Sequence, residues 1–304
     1  MANEVYVSSQ GDTLATQVFI KELELLLHQK PFMRDLCVYK GDTKGIGSDT
    51  LKVGEIDVDD IAETVAEGSA ITGNTAITDA SFTLVPARRA IKRTLSDKLA
   101  IVDSTGMMNE VMLANYNFSA VMKAFDALVA TAITGFTGTV GTSGVDMSAT
   151  DWFSAQQTLN TRRAEGRTIF LGHTVQFNDL QSSLRTEVGP WQLRQDVQDM
   201  LGIKGANFKG FLNGIEIWNS DQIVTANAGA DRSGAMFIFG GLAYAEGSPD
   251  PVTLGGGRIM APGGTVYTSV DLDGDKAEVA IITNYFCAVS VSEADKGVKV
   301  ITDA

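Results

Sequence analysis

LKVGEIDVDDIAETVAEGSAITGNTAITDASFTLVPARRAIKRTLSDK, residues 51–98, decides how this chain reads. Leu51, Val53, Ile56 and Val58 alternate with polar residues in two short runs, and Phe82 and Leu84 repeat the pattern later. Alternation with a period of two marks a strand with one buried face. Between the runs lies a polar, turn-rich segment, GSAITGNTAITDAS, residues 68–81. The simplest geometry is a long two-stranded excursion with a loose tip, spanning residues 49–95. An isolated hairpin of that length is marginal in water. Its support is therefore expected from outside the subunit; a hairpin folded back on its own domain is the alternative.

Charge is segregated along the same stretch. From residue 53 to 87 there are acidic residues only: Glu55, Asp57, Asp59, Asp60, Glu63, Glu67 and Asp79. From 88 to 98 the sign reverses, with Arg88, Arg89, Lys92, Arg93 and Lys98 against Asp97. Blocks of one sign suit a solvated face. Opposite blocks equally suit repeated copies, with one subunit's acidic arm lying on the next one's basic stem. Exposed pairs contribute only about 0–1 kcal/mol each, so their value would lie in register and specificity. The candidate inter-subunit contacts are Glu55, Asp57, Asp59, Asp60, Glu63 and Glu67 on the acidic side, and Arg88, Arg89, Lys92 and Arg93 on the basic side.

Before this stretch, Phe19, Leu23, Leu26 and Leu27 fall on one helical face over residues 13–30, with Asp12 as a cap and Pro31 as a stop. After it, Met107, Val111, Phe118, Val121, Phe125, Leu128 and Ala132 step by threes and fours, predicting a helix over 107–133. Glycines at 135, 138, 141 and 144 then make a flexible crossing. The next portion mixes helices (149–164, 175–184) with strands (168–171, 214–218, 235–239) and a Gly- and Pro-rich loop at 247–264, an α/β or α+β pattern. Strands at 265–270 and 278–282 flank an Asp-Gly turn. Val289, Val291, Val298, Val300 and Ile301 end the chain in extended form, and the late hairpin is expected to pair back with the first domain.

The composition excludes several classes of function. With 37 acidic and 24 basic residues the net charge is −13, which repels nucleic acid instead of gripping it. A container for DNA remains compatible, because its inner wall should not stick to the contents. Two cysteines, Cys37 and Cys287, read as buried thiols. No signal peptide is seen, and no stretch approaches the ~20 apolar residues that span a bilayer, so a soluble protein made in a cytoplasm is expected. The run Asp271, Asp273, Asp275 lacks the glycine and glutamate of a calcium loop, having Lys276 and Ile282 there. No phosphate loop, dinucleotide fingerprint or nucleophile elbow occurs. His28 and His173 are far apart, without the clustered ligands zinc needs. His173 reads as a capping residue, with a general base as the alternative. No enzyme activity, cofactor or metal is expected.

In this order, the elements resemble the Hong Kong 97-type capsid fold of tailed phages, shared by encapsulins and herpesvirus capsid floors. The resemblance covers nearly the whole chain, with local support from EGSAI at 67–71, KLAIVDS at 98–104 and GVKVITDA at 297–304. It implies an α+β fold with an N-terminal arm (1–48) and an extended loop (49–95). A peripheral domain (96–147 and 263–304) would carry the spine helix 107–133, with an inserted α/β axial domain (148–262). It also implies a major capsid protein that self-assembles into hexamers and pentamers, closing an icosahedral head around double-stranded DNA. The implied partners are copies of itself, a separate scaffolding protein, a portal and decoration proteins, in a virion assembled in a bacterial cytoplasm. The chain departs from the founding member in lacking a long helical N-terminal extension. A separate scaffold, or trimming by a prohead protease, would account for that. Lys52 lies near the loop, but no motif supports a covalent crosslink there. An encapsulin-like shell and a soluble α/β enzyme are the alternatives.

Overall fold

The computed structural model describes residues 31–43, 49–57, 67, 78–96, 110–162, 166–187, 207–247, 258–260, 266–273 and 278–303. The helix expected over 13–30, most of the loop tip, KLAIVDS, and the turn at 274–277 lie outside the described residues. The chain enters at Pro31, makes a 3-10 turn at Met33–Leu36, and continues as β1 (Val38–Asp42), β2 (Leu51–Asp57), β3 (Thr78–Leu84) and β4 (Ala87–Ser96). Helix α1 (Glu110–Ala132), β5 (Thr139–Val140), α2 (Ala149–Thr161), β6 (Thr168–Gly172) and α3 (Thr174–Glu187) follow. The remainder is strand: β7 (Phe208–Leu212), β8 (Ile215–Asn219), β9 (Thr225–Ala226), β10 (Asp231–Ile238), β11 (Leu242–Gly247), β12 (Arg258–Met260), β13 (Val266–Asp273), β14 (Glu278–Val291) and β15 (Gly297–Asp303).

The first sheet is organised on β14, whose 14 residues are rich in β-branched and aromatic side chains. β4 and β13 flank its first part antiparallel, β11 pairs with its end, and β1 joins β11 in parallel. Helix α1 lies across this sheet, contacting β14 and β4. At 1.5 Å per residue its 23 residues span about 34 Å. Val121, Met122, Phe125, Val129 and Ala130 form its buried face. Phe118, placed on that face by its spacing, is instead 39% exposed. The stretch Tyr116–Gly135 has the length and mean hydropathy of a bilayer-spanning helix, contrary to the sequence reading. Here that apolarity serves the core, with Phe125 meeting Tyr244 edge-on at 5.4 Å and Tyr285 at 6.2 Å.

The second sheet runs β5-β15-β10-β6-β8-β7, with β9 on the end of β10. Only β6 with β8 and β5 with β15 are parallel among its pairs. Helices α2 and α3 cover one face, where Trp152, Leu159, Phe177 and Leu180 pack on Phe170, Ile217, Met236, Val298 and Val300. The other face contributes Ile169, Leu171, Trp218 and Phe237 to the core shared with α1 and the first sheet. The sequence explains the start of α2: Ser148 caps it, exchanging hydrogen bonds with Asp151.

Pairing departs from the expected division at three places. The closing strand β15 does not return to the sheet of the spine helix; it pairs with β10 and β5 in the second sheet. Val298 and Val300 are fully buried there, each contributing roughly 1.5–3 kcal/mol. Conversely β11, inside the stretch assigned to the inserted domain, pairs with β14 in the first sheet. Third, the two-stranded excursion ends at Leu84, not near residue 95. Pro86 has no N–H to continue a ladder, and β4 beyond it pairs with β14 from Ala87↔Cys287 to Ser96↔Glu278.

Candidate assembly surface

His173, the general-base alternative, takes a capping place. The Nδ1 of His173 accepts the Val175 N–H at 3.2 Å, at the start of α3, the capping geometry its position suggests. Burial and nearby Arg232 lower its pKa, which keeps the ring neutral around pH 7. Cys37 and Cys287 are buried and unpaired with each other. Burial pushes the Cys287 thiol up to about 12 and raises that of Cys37 as well, so neither is a thiolate nucleophile at neutral pH. His28 lies outside the described residues. Among the described residues, no three His, Cys, Asp or Glu side chains gather as a metal site.

The ribbon of β2 and β3 is different in kind. Its strands pair antiparallel, from Leu51↔Leu84 to Asp57↔Thr78, and form a sheet of their own. Among the described residues, its side-chain contacts with the body lie at the root. Leu84 is 1% exposed, Leu51 rests over Gly41, and the Lys40 ammonium lies 6.0 Å from the Phe82 ring centroid. Further out, a Cβ placed on Gly54 would meet nothing within 4 Å. Glu55 and Asp57 occupy alternate positions toward the far end of β2, opposite Ala80 and Thr78. Glu67 is exposed in a turn, whereas Asp59, Asp60 and Glu63 lie outside the described residues.

The body stiffens that root. Arg34 reaches Glu246 at 2.7 Å, Tyr285 donates to the same carboxylate oxygen at 2.7 Å, and the Thr43 N–H bonds the Glu246 carbonyl at 3.1 Å. Burial, then the hydrogen bond to Glu246, raises the Tyr285 pKa, so the phenol stays a donor. None of these anchors was legible from sequence spacing. The one available signal was Pro86, which marks where the ribbon stops and the body resumes.

The basic block occupies β4, in the body and not on the ribbon. Its residues divide between two faces of the sheet, as a period of two requires. Arg93 faces α1, its Nε donating to Asn117 Oδ1 at 2.9 Å, while Asn117 in turn donates to the Ile281 carbonyl. Arg89 shares that side, and its buried Nε makes no hydrogen bond among the described residues. Arg88 and Lys92 share the opposite face and are exposed; the Arg88 Nε donates to Asn284 Oδ1 at 2.7 Å. Arg88 and Lys92 thus form a cationic pair on the face away from α1, and Arg93 on the other face is exposed as well.

No protein-family model and no curated protein matches the sequence. The fold does match solved structures. The capsid of Ralstonia phage GP4 aligns with a TM-score of 0.66 and 10% identity, over 93% of this chain and 94% of that one. The mature capsid of bacteriophage PhiM1 aligns with a TM-score of 0.60 and 10% identity, over 92% and 89%. The SrpI encapsulin of Synechococcus elongatus aligns with a TM-score of 0.63 and 10% identity, over 88% and 85%. A spine helix laid on one sheet, a second sheet with two helices, and a self-paired ribbon give this chain the α+β Hong Kong 97-like fold of capsid subunits.

Proposed function

We propose that the chain is the major capsid protein of a tailed phage. Copies assemble into hexamers and pentamers and close an icosahedral head around double-stranded DNA. The observation that carries this reading is the ribbon of β2 and β3, hydrogen-bonded to itself and joined to its body at the root. Two strands alone are marginal in water; a neighbouring copy supplies the missing support. The acidic residues Glu55, Asp57, Asp59, Asp60, Glu63 and Glu67 meet basic residues of the next subunit, with Arg88 and Lys92 the foremost of Arg88, Arg89, Lys92 and Arg93. The role is structural, with no catalytic step. The net charge of −13 suits a wall that does not bind its contents. A separate scaffolding protein, a portal and decoration proteins complete the head, which is assembled in the bacterial cytoplasm and resides in the virion.

The encapsulin match supplies a second reading, a cellular shell around an enzyme cargo. Negative-stain microscopy and light scattering of the expressed chain, with and without its scaffold, test the common claim. Capsomers or closed particles are the expected result, and a protein that remains monomer or dimer under all conditions refutes it. The contents of the native particle, DNA or a protein cargo, separate the two shells.

A further inference from the structure

Asp126, on the spine helix α1, is 2% exposed. No cation among the described residues forms an ion pair with it. Its carboxylate is held by two backbone donors 94 and 93 residues earlier: the Phe32 N–H reaches Oδ2 at 3.2 Å and the Met33 N–H reaches Oδ1 at 3.2 Å. These amides belong to the segment that opens with Pro31 and leads into the 3-10 turn at Met33–Leu36. The same segment is fastened on its other side by the Phe32 ring, stacked on Trp218 of the second sheet at 5.3 Å. Asp126 therefore sits where the incoming chain, the spine helix and the second sheet converge.

We propose that Asp126 is a proton-dependent latch, with proton loss favouring release of the Phe32–Met33 backbone from the spine helix. A buried anion with no ion-pair partner among the described residues gains solvation when the segment lifts and water enters, whereas a neutral carboxyl gains little. The surroundings reinforce this. Asp35, on the 3-10 turn, adds like charge, and Cys37 offers only a protonated thiol. Arg34, on the same turn, is committed to Glu246 and Tyr244. Arg167, on the second sheet, is bound to Glu216. Lys123 stands on α1 itself without an ion pair to Asp126.

Burial, opposed in part by the two amide hydrogen bonds, pushes the carboxyl up to about 7 from 3.8. A group that holds its proton more tightly in the closed state favours closing most below both pKa values, and that preference is lost as pH rises toward the closed-state value. Opening therefore becomes easier by about tenfold per pH unit between roughly pH 4 and 7, and levels off above. The latch does not depend on the shell reading, since it lies within one chain.

The test is amide hydrogen exchange at Phe32 and Met33 in the full-length protein, corrected for the intrinsic rate and measured from pH 5 to 9. Light scattering confirms a constant assembly state across the series. The expected result is protection that falls about tenfold from pH 5 to 6 and flattens by pH 8, with no such slope in Asp126→Asn. A flat wild-type profile, or a slope that survives in the variant, overturns the proposal. Should the variant fail to fold, carbon-13 titration of the Asp126 carboxyl in the unmodified protein decides. A midpoint near 7 that coincides with the bend in the Phe32 and Met33 exchange profile upholds the latch, and one below 5 removes it.

Discussion

Arg167 grips Glu216 with two prongs, Nε to Oε1 at 2.6 Å and Nη2 to Oε2 at 2.7 Å, at the point where β6 and β8 begin side by side. The indole N–H of Trp218 donates to the same carboxylate at 3.0 Å, so a nearly buried anion is fully engaged. Because the guanidinium is 39% exposed and the carboxylate only 7%, the two partners are not equivalent. Arg167→Ala strands a buried charge and is expected to cost about 2–3 kcal/mol. Glu216→Gln keeps the shape and leaves an exposed cation, at a cost of about 1 kcal/mol. Urea denaturation of the two variants measures the asymmetry; equal losses would contradict it.

The two phenylalanines of the spine helix separate core from surface. Phe125 is fully buried between Tyr244 and Tyr285, whereas Phe118 is 39% exposed. Phe125→Ala should cost about 3–5 kcal/mol, and Phe118→Ala under about 1 kcal/mol in the isolated subunit. Thermal melts of unassembled protein read the difference.

Backbone conformation makes two opposite predictions. Gly141 has a φ of +90°, and a Cβ there would run into the Ile301 carbonyl on β15. Gly141→Ala should therefore destabilise by about 2 kcal/mol or more, loosening the closing strand. Ala228 is exposed and left-handed, with φ 59° and ψ 27°. Ala228→Gly should stabilise by roughly 0.5 kcal/mol, as relief of the left-handed strain outweighs the added chain entropy. Differential scanning calorimetry of both variants tests the pair.

Charge reversal tests the ribbon. Glu55→Lys with Asp57→Lys should leave the melting temperature of the subunit within about 2 °C while abolishing particles. Combining these with Arg88→Glu and Lys92→Glu should restore assembly in part, because the pairing is re-created with signs exchanged. Particle yield by sedimentation reads the result, and undiminished assembly of the first double variant would show that the ribbon's charges are not a contact.

Local patterns were legible wherever one physical term dominates. The ribbon strands appear as alternation, β13 and β14 as alternation around Asp-Gly, and α2 as a Ser148–Asp151 cap followed by an apolar helix face. Asn213-Gly214 carries an equally plain signal for the β7–β8 hairpin, with both residues at positive φ. The exposed position of Phe118 was not legible. A spacing of three or four is satisfied by neighbouring helix faces, and the choice falls to whichever residues the sheet covers. The basic block follows the same logic: its sign is visible in sequence, but its division between the two faces of β4 appears only once β4 is paired.

The sequence by itself determined the two ribbon strands, the spine helix, α2 and the hairpin of β13 with β14, because alternation, helical spacing, caps and prolines act over a few residues. Only the tertiary structure decided which sheet each strand joins, sending β15 to the second sheet and β11 to the first. It also brought Asp126 beneath two amides more than ninety residues away. Such pairings are chosen by burial summed over distant segments, and local sequence carries no record of that sum.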